Sequence, residues 1–316
     1  MKRFLVISGL ILGSSLFPVG AIAATFSQIV VYGDSLSDVG IAAAVTRGAV
    51  PPYSPFFGNG RFSNGSIWIE YLAAKFGISA NNNFAVGGAT SGTINTIPFP
   101  ATGLVGIQKE VNDNVITDPD ALYVIWGGAN DYLGAGVINP AVTVGNLSSQ
   151  ISTLIGRGAK NILVPNLSNL GKLPLALGAP NAADLDLLTQ GHNAGLAASI
   201  ADLSSFFPSV KLSLLDVNSL FNRVTANPGN FGFDNVTNQC ISVNFLCSTP
   251  QTYLFWDDIH PTTRGHQLIG DLAFESLQVP EPTTMLGSLL AFGSVVTLKR
   301  KIKPSKLKEK ELVKVG

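Results

Sequence analysis

The sequence predicts an α/β fold built on a mainly parallel sheet with helices on both faces. Three observations carry that expectation. Short runs rich in β-branched and aliphatic residues recur at 28–32, 121–126, 161–164 and 211–217, each bounded by Gly, Pro or polar residues. Stretches with helical spacing of apolar residues lie between them. The chain is 46% hydrophobic and only 13% charged, so its body can bury a core and does not resemble a disordered segment. Strands alternating with helices imply crossover connections, and hence parallel neighbours covered on both faces.

From the amino terminus, residues 1–23 read as a signal peptide. Lys2 and Arg3 give a positive start, Phe4 to Leu16 form an apolar run, and Ala21-Ile22-Ala23 offers a small-residue cleavage site. A buried first strand or a membrane anchor would use the same residues, but the run is short for a span. The folded body follows at 24–278, its first strand ending at Gly33. Residues 48–65 hold too many Pro, Gly and Asn for regular structure and read as a loop near the site, part of a substrate wall. Residues 66–76 read as a helix with Ile67, Ile69, Tyr71, Leu72 and Phe76 at mixed spacing, and 146–155 as a second. In 184–207, Leu185, Leu188, Leu196, Ile200, Leu203 and Phe207 fall on one helical stripe. Residues 263–277 close the body as a helix that Pro261 starts, since proline suits a first helical position.

The formal net charge of zero hides an uneven distribution. Eight of the 20 Lys and Arg residues lie from Lys299 onward and two more are Lys2 and Arg3. The stretch between Arg3 and Lys299 keeps ten basic residues against 18 of the 20 acids, a charge of −8. That surface repels phosphate backbones and carries no basic stripe, which argues against nucleic-acid binding. Cys240 and Cys247 sit in a loop-like, Asn-rich stretch. An oxidising compartment would permit a disulfide closing a small loop, against the alternative of two free thiols. No His/Cys cluster has zinc spacing, so neither a metal site nor a cofactor is indicated.

In an open parallel sheet, chemistry gathers where loops leave the carboxyl ends of strands. The first strand ends in Gly33-Asp34-Ser35-Leu36-Ser37, placing a serine hydroxyl on the turn out of a buried strand. The common nucleophile elbow would need glycine where Ser37 stands, and alone the tripeptide reads equally as an Asp/Ser turn. A second signal lies far along the chain, at Asp257-Asp258-Ile259-His260-Pro261. A catalytic imidazole needs a carboxylate to fix its tautomer, and a separation of three residues puts Asp257 within reach of His260. Asn83-Phe84-Ala85-Val86-Gly87-Gly88 supplies a glycine N–H, and Trp126-Gly127-Gly128-Ala129-Asn130-Asp131 an amide, each past a strand-like run. Acyl transfer needs donors aimed at a developing oxyanion, and these suit that role. His192, His266, Trp126, Trp256, Asp131 and Asp258 read as structural.

Four blocks in this order resemble the SGNH hydrolases, also called GDSL lipases and esterases. They are VVYGDSLSDVG at 30–40, NFAVGGATS at 83–91, WGGANDYL at 126–133 and DDIHPTTRGH at 257–266, with GNGRFSNGSIWIEYLA at 58–73 resembling the longer bacterial and plant-type branch. The resemblance implies a flavodoxin-like three-layer α/β/α sandwich. It assigns Ser35 as nucleophile, His260 as general base and then acid, and Asp257 as the residue orienting His260. The Ser35 and Gly88 N–H groups and the Asn130 side-chain amide would form the oxyanion hole. An acyl-enzyme would then pass its acyl group to water or another alcohol.

At the carboxyl terminus, Val279-Pro280-Glu281-Pro282 precedes an apolar run from Met285 to Leu298 and then Lys299-Arg300-Lys301. Residues 279–301 resemble a PEP-CTERM sorting signal, which implies an exosortase-type processing enzyme as partner and transient membrane anchoring; a simple anchor is the alternative. The basic tail at 302–316 is longer than such signals usually carry. The expected location is outside the cytoplasm: periplasm, outer surface or extracellular space. The expected substrate is an acyl ester of a lipid, a small alcohol or a glycan. Two other readings stand beside ester hydrolysis: an acetyl esterase or O-acyltransferase acting on envelope polysaccharide, and a non-catalytic surface protein on the same fold.

Overall fold

Residues 25–51, 56–101, 103–243 and 245–278 are described by the structure, a computed structural model. The signal peptide, the sorting segment and the basic tail lie outside these residues. Five strands form the central sheet: β1 (Ile29–Gly33), β2 (Asn82–Asn83), β3 (Leu122–Trp126), β4 (Asn161–Pro165) and β5 (Lys211–Leu215). Their order is β2-β1-β3-β4-β5, and every pairing is parallel. This is the flavodoxin-like order, in which the chain winds outward in opposite directions from β1 and β3 and leaves a crevice at their carboxyl ends.

The eight α-helices of the described residues are α1 (Ile41–Val45), α2 (Trp68–Phe76), α3 (Ile107–Asp113), α4 (Ala129–Leu133), α5 (Pro140–Gly156), α6 (Ala182–Phe206), α7 (Val217–Ala226) and α8 (Thr263–Gln278). Side chains alternate across a strand, so each central strand feeds two cores. Val31, Leu122, Val124 and Leu163 pack with Trp68 and Leu72 of α2, Leu220 of α7 and Ile269 of α8. Val30, Tyr123, Ile125 and Ile162 pack with Ile107 of α3, Leu147 and Ile151 of α5 and Leu196 of α6. The result is three layers, with β1 and β3 buried along their whole length. That two-sided burial explains their unbroken apolar sequences, IVVYG and LYVIW.

Several boundaries differ from the sequence reading. Helix α5 begins at Pro140 rather than 146, because Asn139 caps it by accepting the Ala141 N–H at 3.0 Å. The strand read at 211–217 stops at Leu215, since Asp216 accepts the Ser219 N–H at 3.0 Å and starts α7. Phe207 does not continue the buried stripe of α6; it follows the helix and is exposed. Thr189 and His192 take the core positions instead. Pro261 does not start α8. It forms an isolated antiparallel bridge with Phe255, and the Thr262 hydroxyl accepts the Gly265 N–H at 3.3 Å to cap a helix that begins at Thr263.

After α7 the chain makes β6 (Asn235–Gln239), the hairpin β7 (Ile241–Ser242) and β8 (Phe245–Leu246), then β9 (Tyr253–Phe255), which runs parallel to β6. A disulfide joins Cys240 to Cys247 across the hairpin base, with 4.9 Å between the Cα atoms. Both cysteines pack on Trp256, and the Cys240 N–H donates to the Trp256 carbonyl at 3.0 Å. The staple therefore braces the residue preceding Asp257. Chain entropy for so short a loop gives about 2.5 kcal/mol. Replacing both cysteines by serine is expected to lower unfolding free energy by about 2 kcal/mol, read from the urea midpoint at unchanged m-value.

Candidate active site

Ser35 lies two residues past β1, on a turn its neighbours hold tightly. The Asp34 carbonyl accepts the N–H groups of Ser37 and Asp38, both at 3.0 Å, and Asp34 Oδ1 accepts the Leu36 N–H at 3.0 Å. Gly33 must be glycine, because a Cβ there would meet the Trp126 carbonyl oxygen of β3 at 2.6 Å. Asp38 then ties this turn to the neighbouring glycine loop. One of its oxygens accepts the Gly40 N–H at 2.7 Å, and the other accepts the Gly87 N–H at 2.7 Å.

The imidazole arrives from the far end of the chain on the turn after β9. Asp257 Oδ1 accepts the backbone N–H groups of Ile259 at 2.9 Å and His260 at 2.6 Å, folding the segment into an Asx turn. The same carboxylate accepts the His260 Nδ1–H, at 2.8 Å to Oδ2. With the proton on Nδ1, the bare Nε2 faces Ser35 Oγ at 2.7 Å and accepts its hydroxyl proton. Ser35 and His260 are 225 residues apart in sequence and both are nearly buried. The chain thus forms an unbroken Ser35–His260–Asp257 relay.

The electrostatics suit that relay. Burial works against a charge on Asp257, but the His260 ring and the N–H donors outweigh it and hold the carboxyl below its usual range. Burial also pulls His260 down; Asp257, together with Asp34 and Asp258, reverses this and raises it above 6.5. Burial pushes Asp34 up to about 6. A loop read from sequence as a substrate wall supplies the ring beside His260. Arg61 donates from both Nε and Nη2 to Glu70 of α2, at 2.7 and 2.6 Å, and so fixes the loop. Phe62, next in sequence, sits 5.0 Å from the imidazole centroid.

The oxyanion candidates lie on loops tied to one another: Asp38 accepts from Gly87 beside Gly88, and Asn130 donates to the Ala89 carbonyl. Gly88 has φ +78°, and a Cβ there would meet Asn95 Oδ1 at 2.7 Å. Among the described residues, neither its N–H nor that of Ser35 has a hydrogen-bond acceptor. Asn130 is the second residue of α4, just past β3; its Nδ2 donates to the Ala89 carbonyl at 3.0 Å, which orients the amide and leaves a second N–H to give. Asp131 clamps the two loops, accepting from the Ser91 N–H at 2.8 Å, Ser91 Oγ at 2.6 Å and Thr143 Oγ1 at 3.2 Å. Removing one oxyanion donor typically costs 10²–10³ in kcat. Asn130→Ala is therefore expected to lose about 10²–10³ in kcat with little change in Tm, as measured on a chromogenic ester.

Glu110 was not legible as a site residue. It lies fully inside the protein on α3, where Oε2 accepts the Gly33 N–H at 2.8 Å and Oε1 accepts the Val86 N–H at 3.2 Å. It thereby joins the strand leading to Ser35 to the loop leading to Gly88. Burial raises its pKa well above the ordinary glutamate value. The available signal was an acid between Ile107 and Val111, on the apolar stripe of α3. Glu110→Ala would strand the buried Gly33 N–H and is expected to cost about 2–4 kcal/mol in urea unfolding, more than Glu110→Gln. The other histidines stand outside the relay. Tyr132 Oη lies 3.0 Å from His192 Nδ1, and burial lowers the two imidazoles to about 4 for His192 and about 3 for His266.

Fold and site together define a class: a parallel α/β sandwich with a Ser–His–Asp relay at the carboxyl edge of its sheet, over the β1/β3 crevice. The family model described as GDSL-like Lipase/Acylhydrolase matches residues 29–273, and the chain belongs to that family. Phosphatidylcholine-sterol acyltransferase of Aeromonas hydrophila is 32% identical over 229 residues, covering 70% of this chain and 67% of that one. Secreted effector protein SseJ of Salmonella typhimurium is 27% identical over 251 residues, covering 76% and 61%. The chain spans between half and two thirds of the length of the first curated relatives it matches. Among solved structures, a member of the lipolytic protein G-D-S-L family from Veillonella parvula aligns with TM-score 0.47 at 17% identity, over 78% of this chain and 96% of that one.

Proposed function

We propose that the protein is an exported serine ester hydrolase that cleaves carboxylic esters through an acyl-enzyme on Ser35. The observation carrying this reading is the 2.7 Å contact between Ser35 Oγ and the bare His260 Nε2, backed by Asp257. Ser35 Oγ attacks the ester carbonyl carbon as its proton passes to His260 Nε2. The carbonyl oxygen becomes an oxyanion, received by the N–H groups of Ser35 and Gly88 and the Asn130 amide. When the tetrahedral species collapses, the leaving alkoxide takes the proton from His260 and departs as alcohol. Water then enters, gives a proton to His260 and attacks the acyl carbon; the returned proton frees Ser35. Asp257 stays ionised throughout and stabilises the imidazolium.

Transfer to an alcohol other than water is the second reading, favoured by the sequence likeness to the Aeromonas acyltransferase. The same intermediate serves both reactions, and the acceptor decides the product. Removal of residues 1–23 as a signal peptide, processing of the PEP-CTERM-like segment by an exosortase-type enzyme and a location outside the cytoplasm belong to the same proposal, all read from the sequence of the two termini. Stopped-flow hydrolysis of p-nitrophenyl esters tests the reaction. A burst equal to the enzyme concentration, with an acyl adduct in the quenched protein mass, supports it. Linear release without an adduct would argue against a covalent intermediate. Adding glycerol or a sterol then distinguishes hydrolysis from transfer by the ester product formed.

A further inference from the structure

The hairpin of β7 and β8 holds apolar side chains in solvent. Val243 is 99% exposed, Phe245 53% and Leu246 42%. The Cys240–Cys247 disulfide closes its base, so the tip projects from a stapled foot. A groove of about 820 Å³ is lined by Val243, Phe245 and Leu246 together with Asp257 and Asp258, which sets the hairpin beside the catalytic turn. A second segment reaches the same turn. The Leu175 N–H donates to the Asp258 carbonyl at 2.9 Å, and Leu175 and Leu177 are 46% and 45% exposed. Neither stretch carries charge: residues 235–256 and 173–183 contain no Lys, Arg, Asp or Glu, in a body of charge −8.

We propose that this rim seats on a lipid surface of zero net charge, with Val243 and Phe245 inserted among the lipids and the Ser35 site held at that surface. Docking of this kind goes beyond the ester-hydrolase reading and stands without it. The five exposed side chains, at roughly 100 Å² apiece, stay under the about 800 Å² per partner that a stable protein interface buries. A protein partner needs one continuous, complementary patch. A lipid surface needs no such fit and takes each inserted side chain separately. Apolar groups gain by leaving water, and the tip has no charge to oppose their entry. Anionic headgroups repel the acidic body, which selects the neutral surface.

The test uses full-length protein carrying a nitrobenzoxadiazole dye on Val243→Cys, mixed with phosphatidylcholine vesicles. Cys240 and Cys247 are paired and stay unlabelled. Phe206→Cys with the same dye is the control, because exposed Phe206 ends α6 shortly before the start of β5, at the opposite edge of the sheet from the site. Both proteins keep the same termini, so any membrane binding by their apolar runs is common to the two. Emission at 243 should rise about threefold and shift to the blue, with no response at 206. Adding phosphatidylglycerol should weaken the response. A kinetic arm assumes ester hydrolysis. Phe245→Asp should lower kcat/KM about tenfold on hexadecyl acetate carried in the vesicles and leave it unchanged on dissolved p-nitrophenyl acetate. No response at 243, an equal response at 206, or a response that requires anionic lipid would overturn the docking surface. So would a shift at 243 that follows protein concentration without vesicles, which marks a second copy. Absence of turnover on both esters would overturn the ester-hydrolase reading and leave the dye to decide the docking.

Discussion

Ser35→Ala is expected to lower kcat by about 10⁶-fold while leaving Tm close to that of the unchanged protein. Removing the nucleophile of a serine triad costs about that much because the relay acts as a unit. The imidazole and carboxylate have nothing to deprotonate once Oγ is gone, so Ser35→Ala and His260→Ala should be nearly equal in damage, and the double variant scarcely worse. Oxyanion donors and substrate binding would persist in both, leaving residual activity about 10³ above water. Initial rates at saturating ester, with thermal unfolding in parallel, check both halves. A loss below tenfold would remove Ser35 from the chemistry.

Asp257→Asn is expected to cost about 10⁴ in kcat, through the direction of one proton. In the native site the carboxylate only accepts, which places hydrogen on His260 Nδ1 and leaves Nε2 bare toward Ser35. An asparagine amide can donate to Nδ1, moving the hydrogen to Nε2, where it meets the serine hydroxyl as a second donor. The pH profile carries an independent sign. His260 acts as base only when neutral, so kcat/KM falls as pH drops through its pKa, which Asp257 and its neighbours hold above 6.5. Losing the Asp257 charge lowers that pKa. The acid limb of the residual activity in Asp257→Asn should therefore move to lower pH.

The blocks around Ser35 and Asn130 were legible because each leaves a buried strand, β1 or β3, and fully apolar runs such as IVVYG and LYVIW declare their own boundaries. The supporting residues were hidden for the converse reason. Glu110 on α3, Thr143 and Gln150 on α5 and His192 on α6 occupy buried helix positions that an apolar stripe would give to leucine. Thr143 bonds Asp131, and Gln150 donates to the Ser91 carbonyl at 2.6 Å, so the interruptions in the stripe are the contacts holding the site's loops. Periodicity fades where a helix buttresses polar loops instead of packing only against the sheet. The same competition takes Pro261 out of the first turn of α8, which begins at Thr263 where the sequence reading puts it. Proline suits a first helical turn, but the bridge from Pro261 to Phe255 and the cap from Thr262 decide the boundary. β2, with two residues, is too short to leave any pattern, although its pairing with β1 sets the approach of the Gly88 loop.

Everything turns on a hydroxyl made nucleophilic by an imidazole that sequence alone holds far away. Incubating the folded protein with a fluorophosphonate and mapping the adduct by mass spectrometry examines that activation directly. One phosphonyl group on Ser35, added at a rate that rises as His260 deprotonates and vanishes in His260→Ala, is the expected result. An unlabelled Ser35 in folded protein, or equal labelling with and without the imidazole, would contradict it.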